Sequence, residues 1–401
     1  MPSDINTTRT AAAASLATLA AISDAAGQAL APIGPKSTGS PGPGPFAGGN
    51  VRFERTGVAA RINFGNFGCK VFKEDVLTPD WAVANVHFQR DMNTGVKVRM
   101  PDGREVRFWS FTDPLRKIGG SNPLPSPLIR VQEGDLVHVR LKASKGQHTI
   151  HHHGIEPTTM NDGVGHVSFE TSGTYVYQWQ PQHAGTFFYH CHVNTVTHYE
   201  MGLFGLLVVD PRPDQNGKVA AYDGGPHYDV EQFWVLDDVD PRWHTITQDN
   251  ADIGLCGTDS GLNNFRPKYF LITGTPTRPN TPTNAQKITA APGQKILIRL
   301  LNASYSVLGV TIQGLHGNVV SVDGHSLDKP WNAWVPVAAN STFFMPTAQR
   351  YDLLIDTGSA ENRGKRGTFR VNFEFQDWIT RKPHNAGDPV YEGKAYTTIT
   401  V

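Results

Sequence analysis

The chain has 401 residues, which at about 150 residues per domain is enough for two or three domains. Its composition, 39% hydrophobic and 18% charged, is that of a soluble protein with a packed core and excludes disordered and collagen-like chains. Lys and Arg together number 36, as do Asp and Glu, so no net charge attracts nucleic acid or an anionic membrane, and neither partner is expected. The 40 Gly and 28 Pro residues favour many short strands over long helices and predict a mainly β protein.

The N-terminal segment, residues 1–45, is predicted to be an extension that precedes the folded domains. It contains an Ala-rich run from Ala11 to Ile22, an Ala-Leu-Ala sequence that ends at Ala31, and a Pro- and Gly-rich stretch. This order is typical of an export signal followed by a linker and predicts a periplasmic or secreted protein. The alternative is an Ala-rich helix or tail, because Asp24 follows the apolar run. The run is shorter than the ~20 apolar residues that span a bilayer, so no membrane anchor is predicted.

The three cysteines stand in different sequence contexts. Cys191 lies between two histidines, whereas Cys69 and Cys256 have no such neighbours. In an oxidising compartment, Cys69 and Cys256 are candidates for a single disulfide that leaves Cys191 free. The alternative is that they are two unrelated buried thiols.

An internal repeat divides the rest of the chain. Segments 131–141 and 291–301 both combine a Gly-containing turn with an alternating apolar strand. Segments 184–192 and 366–374 also match. The alternation predicts β-sandwich domains in which one face of each strand packs on the core. The two predicted domains occupy residues 46–212 and 213–401.

The first copy of the repeat concentrates potential metal ligands. The second copy has no counterparts, because it carries Asn, Phe and Glu at 372–374 where the first carries His, Cys and His. The chemistry is therefore expected in the first domain. Its candidate ligands are His148, His151, His153, His190, Cys191, His192, His198 and Met201.

Side chains alternate between the two faces of a strand, so Cys191 is predicted to point away from its two histidine neighbours. A thiolate with two imidazoles and a weak thioether is the ligand set of an electron-transfer copper centre. Four neutral imidazoles on the opposite face suit one or two further copper ions, with electrons passing through the Cys191 backbone. Zinc is the main rival metal, but a structural zinc site closes at four ligands and needs no second histidine cluster.

These motifs resemble the multicopper oxidase family, in its two-domain branch related to copper nitrite reductases. IHHHGI, GTFFYHCH and GLFGLLVVD are similar to its first domain, and LLNAS, SVDG and AQRYDLLID to its second. The resemblance implies an all-β fold of two tandem cupredoxin-like Greek-key β-sandwich domains, with copper as cofactor. It implies type 1 copper ligands at His148, Cys191, His198 and Met201. It implies a share of a type 2/type 3 copper centre at His151, His153, His190 and His192.

The loop after Cys191 departs from the family pattern. The family usually has a His five residues after the Cys, where this chain has Val196. His198 follows at seven residues, and Met201 keeps the common spacing of ten. Because copper-binding loops vary in length among cupredoxins, His198 is the preferred ligand.

The second domain departs further, because it contains no His-x-His pair to complete a trinuclear copper cluster. The second site is therefore expected to be mononuclear or dinuclear, or to be completed by a neighbouring subunit. Two-domain members of the family usually assemble as trimers. In such a homotrimer, His316 and His384 are candidates to reach a neighbour's cluster.

The favoured function is one-electron oxidation of a small molecule or redox protein at type 1 copper, coupled to reduction of dioxygen at the His-rich centre. The alternatives are copper nitrite reduction and a non-catalytic blue-copper electron carrier or copper-binding protein. His151 and His192 argue against nitrite reduction, since that branch has other residues there. Asp162 is the candidate proton donor, although its Asn-Asp-Gly context is more often a simple turn. Further candidates for acid–base or supporting roles are Glu156, Glu200, His166 and His183.

Overall fold

The computed structural model is nearly all β and describes most of the chain from residue 84 onward. The described ranges are 59–63, 69–73, 84–115, 124–144, 146–165, 168, 170–215, 217–245, 265–284, 286–328 and 333–401. The predicted N-terminal extension, His166 and the predicted Cys69–Cys256 bridge lie outside the described residues, apart from the backbone of the strand that contains Cys69. Within the described ranges, no helix is long and apolar enough to cross a membrane.

The described part of the first domain contains eleven strands and two short helices. The strands are β1 (Ala59–Asn63), β2 (Cys69–Lys73), β3 (Val86–Arg99), β4 (Glu105–Thr112), β5 (Ser126–Gln132), β6 (Val137–Lys142), β7 (His151–His153), β8 (Glu170–Ser172), β9 (Thr174–Trp179), β10 (Gly185–His190) and β11 (Phe204–Asp210). The helices are α1 (Thr159–Asp162) and α2 (Thr195–Glu200). Two four-stranded sheets, β4-β3-β6-β9 and β5-β11-β10-β7, enclose the core, and β2-β1-β8 form a small third sheet.

The second domain is a larger sandwich. Its strands are β12 (Val230–Val239), β13 (Tyr269–Ile272), β14 (Thr275–Pro276), β15 (Ile288–Thr289), β16 (Lys295–Asn302), β17 (Val307–Ile312), β18 (Gly317–Val322), β19 (His325–Ser326), β20 (Val335–Val337), β21 (Thr342–Met345), β22 (Arg350–Asp356), β23 (Thr368–Gln376) and β24 (Lys394–Thr400). One sheet has the order β14-β13-β12-β16-β22-β18-β19, with β20 paired to β18. The other has the order β15-β24-β23-β17-β21. A short 3-10 helix, Trp243–Thr245, follows β12.

The strand pairing repeats between the two domains. In the first, β3 runs parallel to β6, and β5 runs parallel to β11, which pairs with β10. In the second, β12 runs parallel to β16, and β15 runs parallel to β24, which pairs with β23. The prediction of two all-β sandwich domains is confirmed, while the limits 46–212 and 213–401 stay predictions.

Strands β10 and β11 are buried along their whole length. Phe187 and Leu207 face the core of the first domain, whereas Phe188 and Leu206 face the second domain. There they pack in one cluster with Val235 and other apolar residues of the second domain. The prediction that only one face of each strand is buried is wrong for these two strands, because the second domain covers their outer face.

A buried ion network joins the domains beside β10. Arg130 and Arg299 each donate to a different oxygen of Glu231, both at 2.7 Å. Arg299 also donates to Asp352 at 3.3 Å, and the Thr186 hydroxyl on β10 donates to the same carboxylate. The charged side chains of this network are at most 5% exposed. Burying these charged groups costs desolvation free energy when the protein folds. Removing any one of them leaves its partner as an uncompensated buried charge, which destabilises the fold.

The domains also meet backbone to backbone where β10 begins. A Cβ atom at Gly185 would lie 2.6 Å from the carbonyl oxygen of Gly324, closer than real Cβ contacts. Gly324 itself has φ +83°, which favours glycine. This contact gives the SVDG segment of the second domain a structural role at the interface.

We predict that Arg299→Met destabilises the protein by about 3–5 kcal/mol, because Glu231 and Asp352 lose a buried cation. Urea unfolding followed by tryptophan fluorescence measures the change. The matched control is Lys97→Met, which breaks an ion pair whose side chains are 59% and 61% exposed. The control should cost at most about 1 kcal/mol. Equal losses in the two variants would contradict a special role for the buried network.

Candidate metal centre

Strand β10 and the turn after it organise two groups of metal-ligating side chains. β7 runs antiparallel to β10, with His151 opposite His190 and His153 opposite Phe188. Beyond β10, the backbone N–H of Cys191 donates to the carbonyl of Leu203 at 2.9 Å, so the chain stays extended through the cysteine. Cys191 and His190 therefore point to opposite faces.

The first group consists of His148, Cys191 and His198. The Cys191 Sγ lies 3.3 Å from Nδ1 of His198 and 3.6 Å from Nδ1 of His148. The two imidazole rings are 4.8 Å apart, and all three side chains are buried. His148 is held by a backbone bridge to Thr171, with both N–H···O distances at 3.0 Å.

Helix α2 explains the unusual spacing of this group. Asn194 has φ 42°, a left-handed conformation that turns the chain into the helix, and the His198 N–H donates to the Asn194 carbonyl at 3.0 Å. This turn brings His198 back to Cys191, whereas Val196 is 38% exposed at the surface. The hydroxyl of Tyr305, in the second domain, donates to the Val196 carbonyl at 2.7 Å and fixes the helix. Met201 follows the helix and is buried in the same apolar cluster as Cys191.

Burial sets the protonation of the first group. It lowers the pKa of His198 to about 4 and that of His148 well below its usual value, so both imidazoles are neutral at pH 7. Burial also raises the pKa of the Cys191 thiol to about 11. A bound metal cation reverses this effect, because it stabilises the thiolate. The group thus combines two neutral nitrogen donors with a sulfur that a metal ion would deprotonate.

Trp109 forms one wall of the first group and was not predicted from the sequence. Its ring lies 5.3 Å from that of His198 in an edge-on arrangement, and its backbone N–H donates to the Met201 carbonyl at 2.6 Å. Trp109 belongs to β4, about 90 residues earlier in the chain, so no local pattern indicates the contact.

The second group consists of His151, His153 and His190. One ligand nitrogen from each lies within 4.8 Å of the others, and His153 Nδ1 is 3.3 Å from His190 Nε2. The fourth predicted member, His192, is adjacent to this group, with its ring 5.4 Å from His151 and 5.6 Å from His190. Both groups of this kind that occur within the described ranges belong to the first domain.

Hydrogen bonds orient three of these imidazoles. Nδ1 of His151 lies 2.7 Å from the Asp162 carbonyl, and Nδ1 of His190 lies 2.9 Å from the Cys191 carbonyl. Nδ1 of His192 is 3.2 Å from the Thr195 hydroxyl. A carbonyl can only accept, so Nδ1 carries the proton in His151 and His190, and their unprotonated Nε2 atoms are able to bind a metal.

His153 and His190 of the second group are also neutral, and the group lies beside a cation of the second domain. Burial lowers the pKa of His153 to about 3, with a further contribution from Arg350, and burial lowers that of His190 well below its usual value. The guanidinium of Arg350 lies 5.3 Å from the centroid of the Phe188 ring. Phe188 in turn stacks on His153 at 4.4 Å and on His190 at 5.1 Å. Arg350 lies in the AQRYDLLID segment, but nothing in that segment indicates this contact.

The remaining candidates are distributed differently. Asp162 lies at the second group, with Oδ1 3.4 Å from His151 Nδ1, while Glu156 is exposed. Glu200 is buried and lies 3.3 Å from His244 Nε2. His183 contacts His325, with ring centroids 5.5 Å apart. His316 and His384 contact other residues of the second domain, Asn362 and Phe270.

His152, the middle histidine of β7, points to the opposite face of the strand from His151 and His153 and joins neither group. It is fully buried between Tyr177 and Trp179. Neither ring nitrogen has a hydrogen-bond partner within the described part of the chain. Three consecutive histidines therefore contribute only two to the cluster.

We predict that the metal-free protein binds Co²⁺ at the first group and develops a thiolate-to-cobalt absorption band in the near ultraviolet. The Cys191→Ser variant should lose this band completely, because its hydroxyl cannot replace the thiolate. His183→Gln, which removes a histidine outside both groups, is the control and should retain the band. A band that survives in Cys191→Ser would contradict the assignment of the sulfur.

Comparison with known proteins shows which proteins this chain resembles. Residues 110–214, which include both groups, match the family model for multicopper oxidase. The chain is 28% identical over 268 residues to the multicopper oxidase MmcO of Mycobacterium tuberculosis, covering 58% of this chain and 46% of that protein. It is also 28% identical over 285 residues to copper resistance protein A of Pseudomonas syringae pv. tomato, covering 62% of this chain and 45% of that protein. The chain thus spans about half the length of the curated relatives it matches.

Among solved structures, the blue copper oxidase from Nitrosomonas europaea shares the fold, with a TM-score of 0.57 and 24% identity. The match covers 79% of this chain and 85% of that chain. The predicted cupredoxin-like fold is thereby confirmed. Together with the matched family model and the relatives, it shows that this chain is similar to multicopper oxidases, a similarity that implies copper as its cofactor.

Proposed function

We propose that this protein is a copper-dependent oxidoreductase that oxidises a donor by one electron at a type 1 copper and reduces dioxygen at a second, His-rich copper site. The observation that carries the proposal is the back-to-back arrangement on β10. Cys191 belongs to the first group, and its covalent neighbour His190 belongs to the second. A redox enzyme that separates donor oxidation from oxygen reduction needs two such sites joined by a short path.

The first group has the donor set of a type 1 copper site. Its soft sulfur and two imidazoles stabilise Cu(I) as well as Cu(II), and the thioether of Met201 provides the weak fourth ligand. His148, Cys191 and His198 come from different elements that are fixed by backbone hydrogen bonds. The ligands are therefore preorganised and need little movement when the oxidation state changes.

The second group would hold copper through imidazole nitrogens of His151, His153 and His190, with His192 beside them. Copper supplies the one-electron redox couple at both sites and, at the second, the position at which dioxygen reacts. The Cys191–His190 peptide and the Cys191–His192 peptide provide covalent electron paths between the sites. Arg350 adds positive charge beside the cluster and thereby disfavours protonation of His153.

Reduction of one dioxygen to two waters takes four electrons and four protons, so four one-electron donors are consumed per dioxygen. Asp162 is the proposed proton donor at the second site. Its carboxylate lies 3.4 Å from His151 Nδ1 and is 21% exposed, so it has access both to the cluster and to bulk water. His153 and His190 do not carry these protons, because burial keeps their pKa values low.

We propose a homotrimer in which a neighbouring subunit completes the second site. Two observations support this. His151, His153 and His192 are only half-buried. Within the described ranges, the second domain contributes Arg350 but no histidine, cysteine or carboxylate to the cluster. His316 and His384 stay predictions as donated ligands. We also propose a periplasmic or secreted location, on the strength of residues 1–31 alone.

We predict that the copper-loaded protein contains at least two coppers per chain, shows an intense thiolate-to-copper band near about 600 nm, and consumes dioxygen with a phenolic donor. Cys191→Ser should remove the visible band and at least one copper while leaving copper at the second site. His153→Gln should keep the band and abolish oxygen uptake. Metal analysis, visible and electron paramagnetic resonance spectra, and an oxygen electrode measure these quantities.

Other outcomes select the alternatives. One blue copper per chain without oxygen uptake indicates an electron carrier or copper-binding protein. Donor oxidation that depends on nitrite rather than dioxygen indicates a nitrite reductase. His183→Gln, remote from both groups, is the control and should behave as the unaltered protein.

A further inference from the structure

A cavity of about 260 Å³ lies between β4 and the 3-10 helix after β12. Arg104, Glu105 and Arg107 line it from the first domain, and His244 and Thr245 line it from the second. We call it the Arg104 cavity. Ligand pockets for drug-sized molecules occupy about 300–1,000 Å³, so this cavity suits a molecule with a single aromatic ring. Neither the sequence motifs nor the two metal-ligating groups account for it.

The wall of the Arg104 cavity connects to the first metal-ligating group through His244. The Nε2 atom of His244 lies 3.3 Å from the Glu200 carboxylate, and Glu200 directly precedes Met201. A second connection runs through aromatic rings. His244 contacts Phe108 at 4.4 Å, and the next residue, Trp109, contacts His198 at 5.3 Å.

The position of His244 is fixed within the described structure. Its Nδ1 lies 2.6 Å from the Arg107 carbonyl, so this nitrogen donates, and the side chain is 1% exposed. Burial lowers the pKa of His244 to about 4, and the ring is therefore neutral at pH 7. His244 thus forms an uncharged aromatic floor, one hydrogen bond from the residue that precedes Met201.

The mouth of the Arg104 cavity is positive. Arg104 and Arg107 are both exposed. The one carboxylate in the lining, Glu105, lies 3.5 Å from the ammonium group of Lys97, which offsets its charge. Guanidinium groups bind carboxylates and other oxyanions through paired hydrogen bonds and repel metal cations.

We propose that the Arg104 cavity binds the reducing substrate, and that this substrate is a small aromatic donor carrying an anionic group such as a carboxylate. The inference rests on the proposed function and specifies its donor. Arg104 and Arg107 bind the anionic group at the mouth, and the ring lies toward His244. As in the proposed function, four phenolic donors each lose one electron and one proton, and one dioxygen takes these up to form two waters. A metal cation is disfavoured as donor by the same two arginines.

The test compares two donors that differ by one carboxylate, syringate and 2,6-dimethoxyphenol, at pH 7. The double variant Arg104→Gln/Arg107→Gln should lower kcat/KM for syringate about tenfold, by raising KM and leaving kcat unchanged. A tenfold loss corresponds to losing one hydrogen bond to a charged group. The value for 2,6-dimethoxyphenol should change less than about twofold, since an exposed substitution alters little else. Arg104→Lys/Arg107→Lys should retain a preference for syringate, because the charge is kept. Arg363→Gln/Arg366→Gln removes two exposed charges elsewhere and should leave both donors unaffected.

Binding of 3,4,5-trimethoxybenzoate, which lacks the oxidisable hydroxyl, separates this inference from the proposed function. Calorimetry on the copper-loaded protein should show binding that the Arg104→Gln/Arg107→Gln variant weakens about tenfold. Binding without any oxygen uptake would overturn the proposed function and support an anion pocket. Oxygen uptake with equal loss for both donors, or binding that the variant leaves unchanged, would overturn the pocket.

Discussion

The rest of the site depends on the alternation of side chains along β10 and its extended continuation through Cys191. Because neighbouring residues of a strand point to opposite faces, Cys191 faces the core of the first domain and His190 faces outward. The two metal-ligating groups therefore lie on opposite sides of one strand and are joined by a single peptide unit. No loop has to be positioned between them, and the distance between the groups is fixed by covalent geometry. The other elements bring ligands to one side or the other: β7 to the outer face, and α2 to the inner.

The second domain has the same architecture but a different role. Its strand β23 is the counterpart of β10, and it carries Asn372, Phe373 and Glu374 at the matching positions. Instead of ligands it provides a covering surface: apolar residues against Phe188 and Leu206, an arginine beside the cluster, and the charged network that ends at Thr186. A buried ion network of this kind adds little to the free energy of folding. It does destabilise any other arrangement of the two domains, because a displaced side chain leaves its partner as an uncompensated buried charge. It thereby fixes the position of the covering surface relative to β10.

Much of the fold could be predicted from the sequence, since the strand alternation and the internal repeat are local signals. The alternation of side chains along a strand predicts that Cys191 and its histidine neighbours point to opposite faces, and the structure groups the side chains in this way. Their role as copper ligands stays a proposal. Burial on both faces of β10 and β11 was missed, although GTFFYH and GLFGLLVVD are almost continuously apolar, which is the pattern of a doubly covered strand. Trp109, Arg350 and His244 had no local signal, because each reaches its position through contacts between segments distant in sequence. The spacing of His198 depended on a short helix that no residue count reveals.

The double burial of β10 has a consequence for how the protein gains and loses metal. An ion bound at Cys191 is enclosed by the first domain on one side and, through the strand, by the second domain on the other. His148, Cys191 and His198 are all buried, and Tyr305 of the second domain holds the Val196 carbonyl of α2, so release requires an opening larger than the fraying of a surface loop. The rate of metal exchange should then be as slow as the rate at which the backbone amides of β10 exchange their hydrogens with solvent. Retention of the cofactor is, in this protein, a property of the interface between domains rather than of the ligands alone.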